Sequence, residues 1–259
     1  MPGTDRTKKE LTVERLRVKV YPNRKEMGEA AGKAAAQKIR DLLARQQTVT
    51  MIFAAAPSQN EFLATLAKEP GIDWQRVIAL HMDEYIGLPD DAPQLFRRYL
   101  EDHIMNLVRP GAVHFIRGNA PSSAGECQRY AQLILDHPVD IVCCGIGENG
   151  HLAFNDPPVA DFLDPEIMKV VELEEACRQQ QVNDGCFASL EQVPTHALTL
   201  TIPALLSARY IYCMVPGSLK AKAVRDAVYG PVSTACPASV LKRHLRAELY
   251  LDADSAALL

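Results

Sequence analysis

Hydrophobic and polar positions change their period repeatedly over the first 145 residues, at intervals of about 25. LRVKVYP alternates apolar and polar residues and stops at Pro22, the pattern of a half-buried strand. NRKEMGEAAGKAAAQKIRDLLARQQ then places Met27, Ala31, Ala35, Ile39 and Leu42 at helical spacing, with Asn23 as a cap. TVTMIFAAA is nearly continuously apolar, as a strand covered on both faces should be. After Pro57-Ser58, the pattern predicts helix QNEFLATLAKEP, strand WQRVIALHM, helix PQLFRRYLEDHIMNLV, strand AVHFIRG, helix SAGECQRYAQLILDH and strand VDIVCCG.

Beyond residue 150 the pattern loosens, and irregular structure is expected to about 195. HALTLTIPALL and ARYIYCMVPG read as strands, LKAKAVRDAVYG as a helix and AELYLDAD as a last strand. Regular alternation of strand and helix predicts an α/β fold: an open, mostly parallel, doubly wound sheet with helices on both faces. No repeat or linker interrupts it, so residues 1–259 are expected to form a single domain.

Composition narrows the function classes. Among 259 residues, 47% are apolar and 23% charged, ordinary for a globular protein, and a net charge of -4 favours neither nucleic acid nor an anionic membrane as partner. No apolar run approaches the roughly 20 residues that span a bilayer, and MPGTDRTKKELTVERLRV is too polar for a secretory signal. A cytoplasmic location is therefore expected. The seven cysteines form no C-x-x-C pair or metal-like cluster, and several lie in apolar runs, so they are expected to be reduced thiols.

Ligands of such sheets sit outside the carboxyl ends of the strands. Three loops leave apolar strands at that edge: AAAPSQN, HMDEYIGLPDD and GIGENGHLAFNDPP. The last satisfies G-x-G-x-x-G, but a dinucleotide fingerprint needs its third glycine to open a helix, and Pro157-Pro158 forbids a regular one. Gly147 and Gly150 instead suit a sharp turn that brings amides and His151 close to a small substrate. His151 and Asp156 suit acid–base chemistry; the plain alternative is a loop histidine bonded to a carbonyl. Asp83 can abstract a proton from carbon or cap a turn. Ser58, Gln59 and Asn60 can offer donors to a phosphate or form an ordinary helix cap. Lys220 can supply a point charge to phosphate or stand in solvent. As an ensemble these groups fit proton transfer on a phosphorylated polyol or sugar.

MDEYIGLP followed by GIGENGHLAFNDP resembles the glucosamine-6-phosphate deaminase/isomerase family. GNAP, QVPTHALTLTIPALLSA, PGSLKAKAV and VSTACPASVL are similar to further segments of that family in the same order. The resemblance implies a mostly parallel sheet, no metal or organic cofactor, and conversion of glucosamine 6-phosphate and water to fructose 6-phosphate and ammonia. It implies that Asp83 moves the proton between C2 and C1, that His151 opens the pyranose ring, and that Asp156 stands where a glutamate usually assists the histidine. It makes Lys220 a phosphate ligand and places Ser58, Gln59 and Asn60 in the phosphate loop; Glu84, Gly147 and Gly150 are further expected substrate-site residues.

Four departures shape the expectations. Asn149 stands where many members carry aspartate; its amide can hold the imidazole tautomer without stabilising imidazolium by charge. Asp156 is one methylene shorter than glutamate, so bridging water is expected. PSQNE lacks the usual glycines. The family's phosphate-binding arginine, expected near NDGCF, has no counterpart, since Gly185 falls there; Arg178 is the candidate substitute. The N-G-H variant resembles the galactosamine-6-phosphate branch. The expected activity is deamination with isomerisation of an amino-sugar 6-phosphate, with sugar-lactone hydrolysis or a non-catalytic sugar-phosphate binding module as alternatives. Self-association into a homo-oligomer is a further expectation.

Overall fold

Asn23 accepts a hydrogen bond from Glu26 N at 3.0 Å and so starts helix α1 (Arg24–Leu43). The expected stripe of Met27, Ala31, Ala35, Ile39 and Leu42 is buried. The computed structural model describes residues 9–259; the first eight residues of the polar amino-terminal stretch lie outside them. Before α1 come β1 (Lys9–Val13) and β2 (Leu16–Tyr21). After it follow β3 (Val49–Phe53), α2 (Asn60–Leu66), β4 (Val77–His81), β5 (Asp83–Tyr85), α3 (Phe96–Leu100), α4 (Asn106–Val108), β6 (Ala112–His114), α5 (Ser123–Asp136) and β7 (Ile141–Cys144). The remainder comprises β8 (Met168–Glu172), α6 (Glu175–Asn183), β9 (His196–Leu200), α7 (Ile202–Leu206), β10 (Tyr210–Val215), α8 (Ala221–Tyr229) and β11 (Ala247–Asp252).

Eight strands form one sheet in the order β1-β2-β11-β10-β7-β3-β4-β6, parallel throughout except for β1 against β2. Its two faces carry separate apolar cores because successive side chains point to opposite sides. In β10, Ile211, Cys213 and Val215 join one core and Tyr212 and Met214 the other. Helices α5, α7 and α8 cover the first face; α1, α2 and α3 cover the second. This is the doubly wound α/β arrangement that the alternation predicts. Helices α1 and α2 approach closely: a Cβ at Gly28 would lie 2.5 Å from Glu61 Cβ and 2.9 Å from Phe62 N.

Three expectations need correction. The segment from 150 to 195 is not wholly irregular, since it contains β8 and α6. Strand β8 pairs antiparallel with β9, which pairs antiparallel with β5, making a second, three-stranded sheet. HALTLTIPALL is a strand only to Leu200: Thr201 caps α7, and Pro203 occupies its first turn, where no amide is needed. The helix expected from PQLF begins at Phe96 and passes through a π turn at Glu101–Met105 before reaching α4.

All seven cysteines are free thiols, with Cys143, Cys144, Cys177 and Cys213 buried. Among the described residues, no helix is long and apolar enough to cross a membrane. From β3 the chain proceeds to β4 on one side, while β7 borders β10 on the other. Such a change of direction opens a crevice at the carboxyl ends of the central strands.

Candidate active site

The crevice holds a cavity lined by Ser58, Asp83, Gly147, His151 and Lys220, drawn from strand β5 and three separate loops. Asp83 and His151 thus face the same space, with Lys220 and Ser58 on its walls.

His151 sits on a turn built for close approach. Gly147 N donates to His151 O and Gly150 N to Gly147 O, both at 3.0 Å. The imidazole stacks so tightly over Gly147 that an added Cβ would lie under 3.0 Å from Nδ1, Cε1 and Nε2 alike. Gly150 has φ +88°, and its own Cβ would strike Cys236 Sγ. It shapes the turn without lining the cavity.

A closed polar unit fixes the ring. Asn149 Nδ2 donates to Asp156 Oδ1 at 2.9 Å and to Glu174 Oε2 at 2.8 Å, so its Oδ1 is the atom turned toward His151. His151 N donates to that Oδ1 at 3.1 Å. His151 Nδ1 lies 2.8 Å from the same oxygen and 2.9 Å from Asp156 Oδ1. Two acceptors at Nδ1 place the proton there, leaving Nε2 of the neutral ring to exchange protons with a ligand. The bridging water expected for the short Asp156 side chain is unnecessary: the carboxylate reaches the imidazole directly, and it supplies the charge that Asn149 lacks. Burial works to raise the Asp156 pKa, but hydrogen bonds from His151, Asn149 and Cys177 outweigh it and hold the group below the usual carboxylate range.

Asp83 is buried on β5, opposite Thr199 of β9. Burial pushes its carboxyl well above the usual range, and the neighbouring Glu84 adds to the rise. Thr199 also ties in the histidine loop: its Oγ1 accepts from Phe154 N at 3.1 Å, and Asn155 Nδ2 donates to Leu200 O at 2.8 Å. Strand β9 therefore holds both the Asp83 strand and the His151 loop.

Several neighbours of the motif residues are engaged in structural hydrogen bonds. Glu84 Oε1 accepts from Tyr85 N and Phe96 N at 3.0 Å, and Oε2 from Arg97 N at 2.9 Å, so the side chain closes the start of α3. Burial raises its pKa to about 7 against the pull of those amides. Gln59 is buried with Nε2 directed at Ser58 Oγ, 3.1 Å away, and at the carbonyls of Cys144 and Met214. Asn60 Oδ1 accepts from Tyr99 Oη at 2.6 Å. His81, two residues before Asp83, points away into the core, where Nε2 accepts from Ile116 N at 2.7 Å and burial lowers its pKa to about 3.

Arg178, the candidate substitute arginine, is not among the residues that line the cavity. Its Nη2 donates to Leu190 O at 2.7 Å and Val193 O at 3.0 Å, bracing the chain ahead of β9. On α6 it is two residues from Gln180, hence on the opposite side of the helix. Gln180 and Gln181, with Asp184 just beyond the helix, do line the cavity. Tyr85 Oη donates to Gln181 Oε1 at 2.8 Å. None of the three was anticipated; reading 175–183 as a helix would have been the signal. Arg24, also on the cavity wall, carries no sequence signal beyond its place at a helix start.

Lys220 is 8% exposed and precedes α8. Burial lowers its pKa, while Asp184 and Glu148 oppose the shift. Among the described residues, His151, Asp156 and Cys177 present metal-ligand atoms within 4.8 Å of one another. In this structure Nδ1 and Oδ1 of that group serve hydrogen bonds instead.

A family model described as glucosamine-6-phosphate isomerases/6-phosphogluconolactonase matches residues 22–250. A glucosamine-6-phosphate deaminase of Listeria innocua is 33% identical over 230 residues, covering 89% of this chain and 96% of its own. One from Streptococcus pneumoniae is 34% identical over 229 residues, covering 88% and 94%. A solved monomeric glucosamine-6-phosphate deaminase superposes with a TM-score of 0.84 at 30% identity, over 93% of this chain and 99% of that one. A 6-phosphogluconolactonase from Shewanella baltica shares the fold, with a TM-score of 0.74 at 16% identity over 93% and 97%. The chain belongs to the family of glucosamine-6-phosphate isomerases and 6-phosphogluconolactonases.

Proposed function

We propose that this protein converts an amino-sugar 6-phosphate, preferentially glucosamine 6-phosphate, and water into a ketose 6-phosphate and ammonia. The observation that carries the reading is one cavity with a buried carboxyl, Asp83, and an oriented imidazole, His151, sharing its walls with Lys220 and Ser58. The names of the deaminases at 33–34% identity support the same class.

His151 Nε2 exchanges a proton with the pyranose ring oxygen as the C1–O bond breaks and the open-chain aldehyde forms. The Asn149–Asp156 pair keeps Nδ1 protonated, so Nε2 is available for that exchange. Asp83 then takes the C2 proton while the C1 oxygen gains one, giving an enolamine. Return of the proton to C1 leaves an iminium at C2; water adds there, the C–N bond breaks, and ammonia departs. One carboxyl serves both carbon positions, and its raised pKa suits it to hold the proton between them. Phosphate anchoring at Ser58 and Lys220 supplies positioning for both steps. Such a reaction belongs to amino-sugar breakdown, including that of N-acetylglucosamine after deacetylation.

The test is ammonia release from glucosamine 6-phosphate, galactosamine 6-phosphate and their N-acetyl forms. Turnover of a free-amine sugar phosphate is expected, with the two epimers ranked by rate. No turnover of either free-amine sugar sinks the proposal. Hydrolysis of a sugar lactone without ammonia would instead assign the chain to lactonase chemistry.

A further inference from the structure

Arg24 is a cation on the cavity wall that belongs to none of the sequence motifs. Asn23 fixes the start of α1, which sets Arg24 beside the loop leaving β3. There the guanidinium is held along one edge. Nε donates to Glu61 Oε1 at 2.7 Å, and Nη2 donates to Glu61 Oε2 at 2.9 Å and to Pro57 O at 2.8 Å. No described residue accepts from Nη1. A planar fork gripped on one edge presents the other in a fixed direction, the arrangement that suits arginine to phosphate oxygens. The gripping carbonyl belongs to Pro57, next to Ser58, which also lines the cavity.

Lys220 is the lysine of the same cavity, and no described residue accepts a hydrogen bond from its Nζ. Asp184, reaching the cavity from the end of α6, offsets part of that charge. A phosphate dianion is therefore poorly matched by Lys220 alone. Gly185 offers no cation, and Arg178 is committed to Leu190 and Val193.

We infer that Arg24, oriented by Glu61 and the Pro57 carbonyl, is the second cationic ligand of the substrate phosphate and sets the preference for phosphorylated over neutral amino sugars. The inference rests on the proposed reaction for its substrate, while the anion site itself can be probed without turnover.

Two measurements on wild type, Arg24→Gln and Arg24→Lys test it. In the first, inorganic phosphate is titrated calorimetrically. Loss of a charge-assisted contact predicts binding weakened roughly 10- to 100-fold in Arg24→Gln, with partial retention in Arg24→Lys. In the second, ammonia release is compared on glucosamine 6-phosphate and glucosamine. Arg24→Gln should lower kcat/KM on the phosphorylated sugar by a similar factor, mostly through KM, and lower it far less on glucosamine. Equal phosphate affinity in wild type and Arg24→Gln, or no phosphate binding by either, overturns the assignment. So does an equal loss on both sugars, which would mark a structural role for the Arg24–Glu61 pair. Failure of the proposed reaction has a different signature: wild type binds phosphate more tightly than Arg24→Gln but releases no ammonia.

Discussion

The tightest geometric constraint at the site is the contact between Gly147 and His151, and Gly147→Ala tests it. The methyl group would fall under 3.0 Å from three atoms of the imidazole, where ordinary contact begins at 3.4 Å. Gly147 N is itself tied to the His151 carbonyl at 3.0 Å, so the two backbones cannot part without breaking the turn. The ring has to retreat by roughly 1 Å, and a displacement of that order costs about 10²-fold in rate when it moves a reacting group. It also pulls Nδ1 away from Asp156 and Asn149, now 2.9 and 2.8 Å distant, removing the control of the tautomer. Overpacking adds about 1–3 kcal/mol of destabilisation, enough to lower Tm by several degrees without unfolding the protein. The assay is ammonia release from the cyclic sugar phosphate, with inorganic phosphate binding as control. A fall in kcat of about 100-fold is expected, with phosphate affinity unchanged because Lys220 and Ser58 lie on other loops. Wild-type kcat in a folded Gly147→Ala protein refutes the claim that ring position governs the rate.

Other consequences follow from the same contacts. Asp83→Asn should abolish exchange of the C2 proton with D₂O, a loss of at least 10²-fold, while phosphate still binds. The base form of Asp83 fills only above its raised pKa, so the acid limb of kcat/KM should rise with pH at a midpoint above that of an ordinary carboxylate; a midpoint near pH 4 contradicts this. Glu84 is neutral in the native state up to about pH 7, whereas the unfolded chain ionises near 4.5, so its stabilising effect is complete below 4.5 and lost as pH rises through 7. Glu84→Gln should therefore gain on wild type in urea melts between pH 5 and 8, by up to about 3 kcal/mol; a difference independent of pH disproves the burial argument. Gly28→Ala ought to gain helix propensity of up to about 1 kcal/mol, but the close approach to Glu61 and Phe62 should make it net destabilising by 1 kcal/mol or more; a rise in Tm contradicts the packing.

The sequence was most legible where period and chemistry coincide. β3, β4 and β7 are apolar runs ending in polar loops, so both the sheet and the edge bearing Asp83, His151 and Ser58 could be read from it. The small sheet was not legible, because β5 pairs antiparallel with β9 across more than 100 residues and is only three residues long. Treating 150–195 as irregular hid α6, and with it Gln180, Gln181 and Asp184. Glu84, Gln59 and Asn60 show a further limit: proximity to a reacting residue in sequence does not say which way a side chain turns. Backbone amides take Glu84 as their acceptor, two strand-end carbonyls take the Gln59 amide as a donor, and the Tyr99 hydroxyl takes Asn60. Arg24 went unread for the converse reason, since an arginine in the first turn of a helix carries no local mark of the cavity beside it.

Thr199 has one further consequence. It faces Asp83 across the ladder and receives the amide of Phe154, so a strand that does not line the cavity works as a jig between carboxyl and imidazole. The gap between the two groups is gauged there, apart from the loops that clasp the anion. Grip and tempo can accordingly drift separately as the chain evolves: altered cations change how firmly a sugar is held, whereas a shimmed β9 changes how quickly its hydrogen moves.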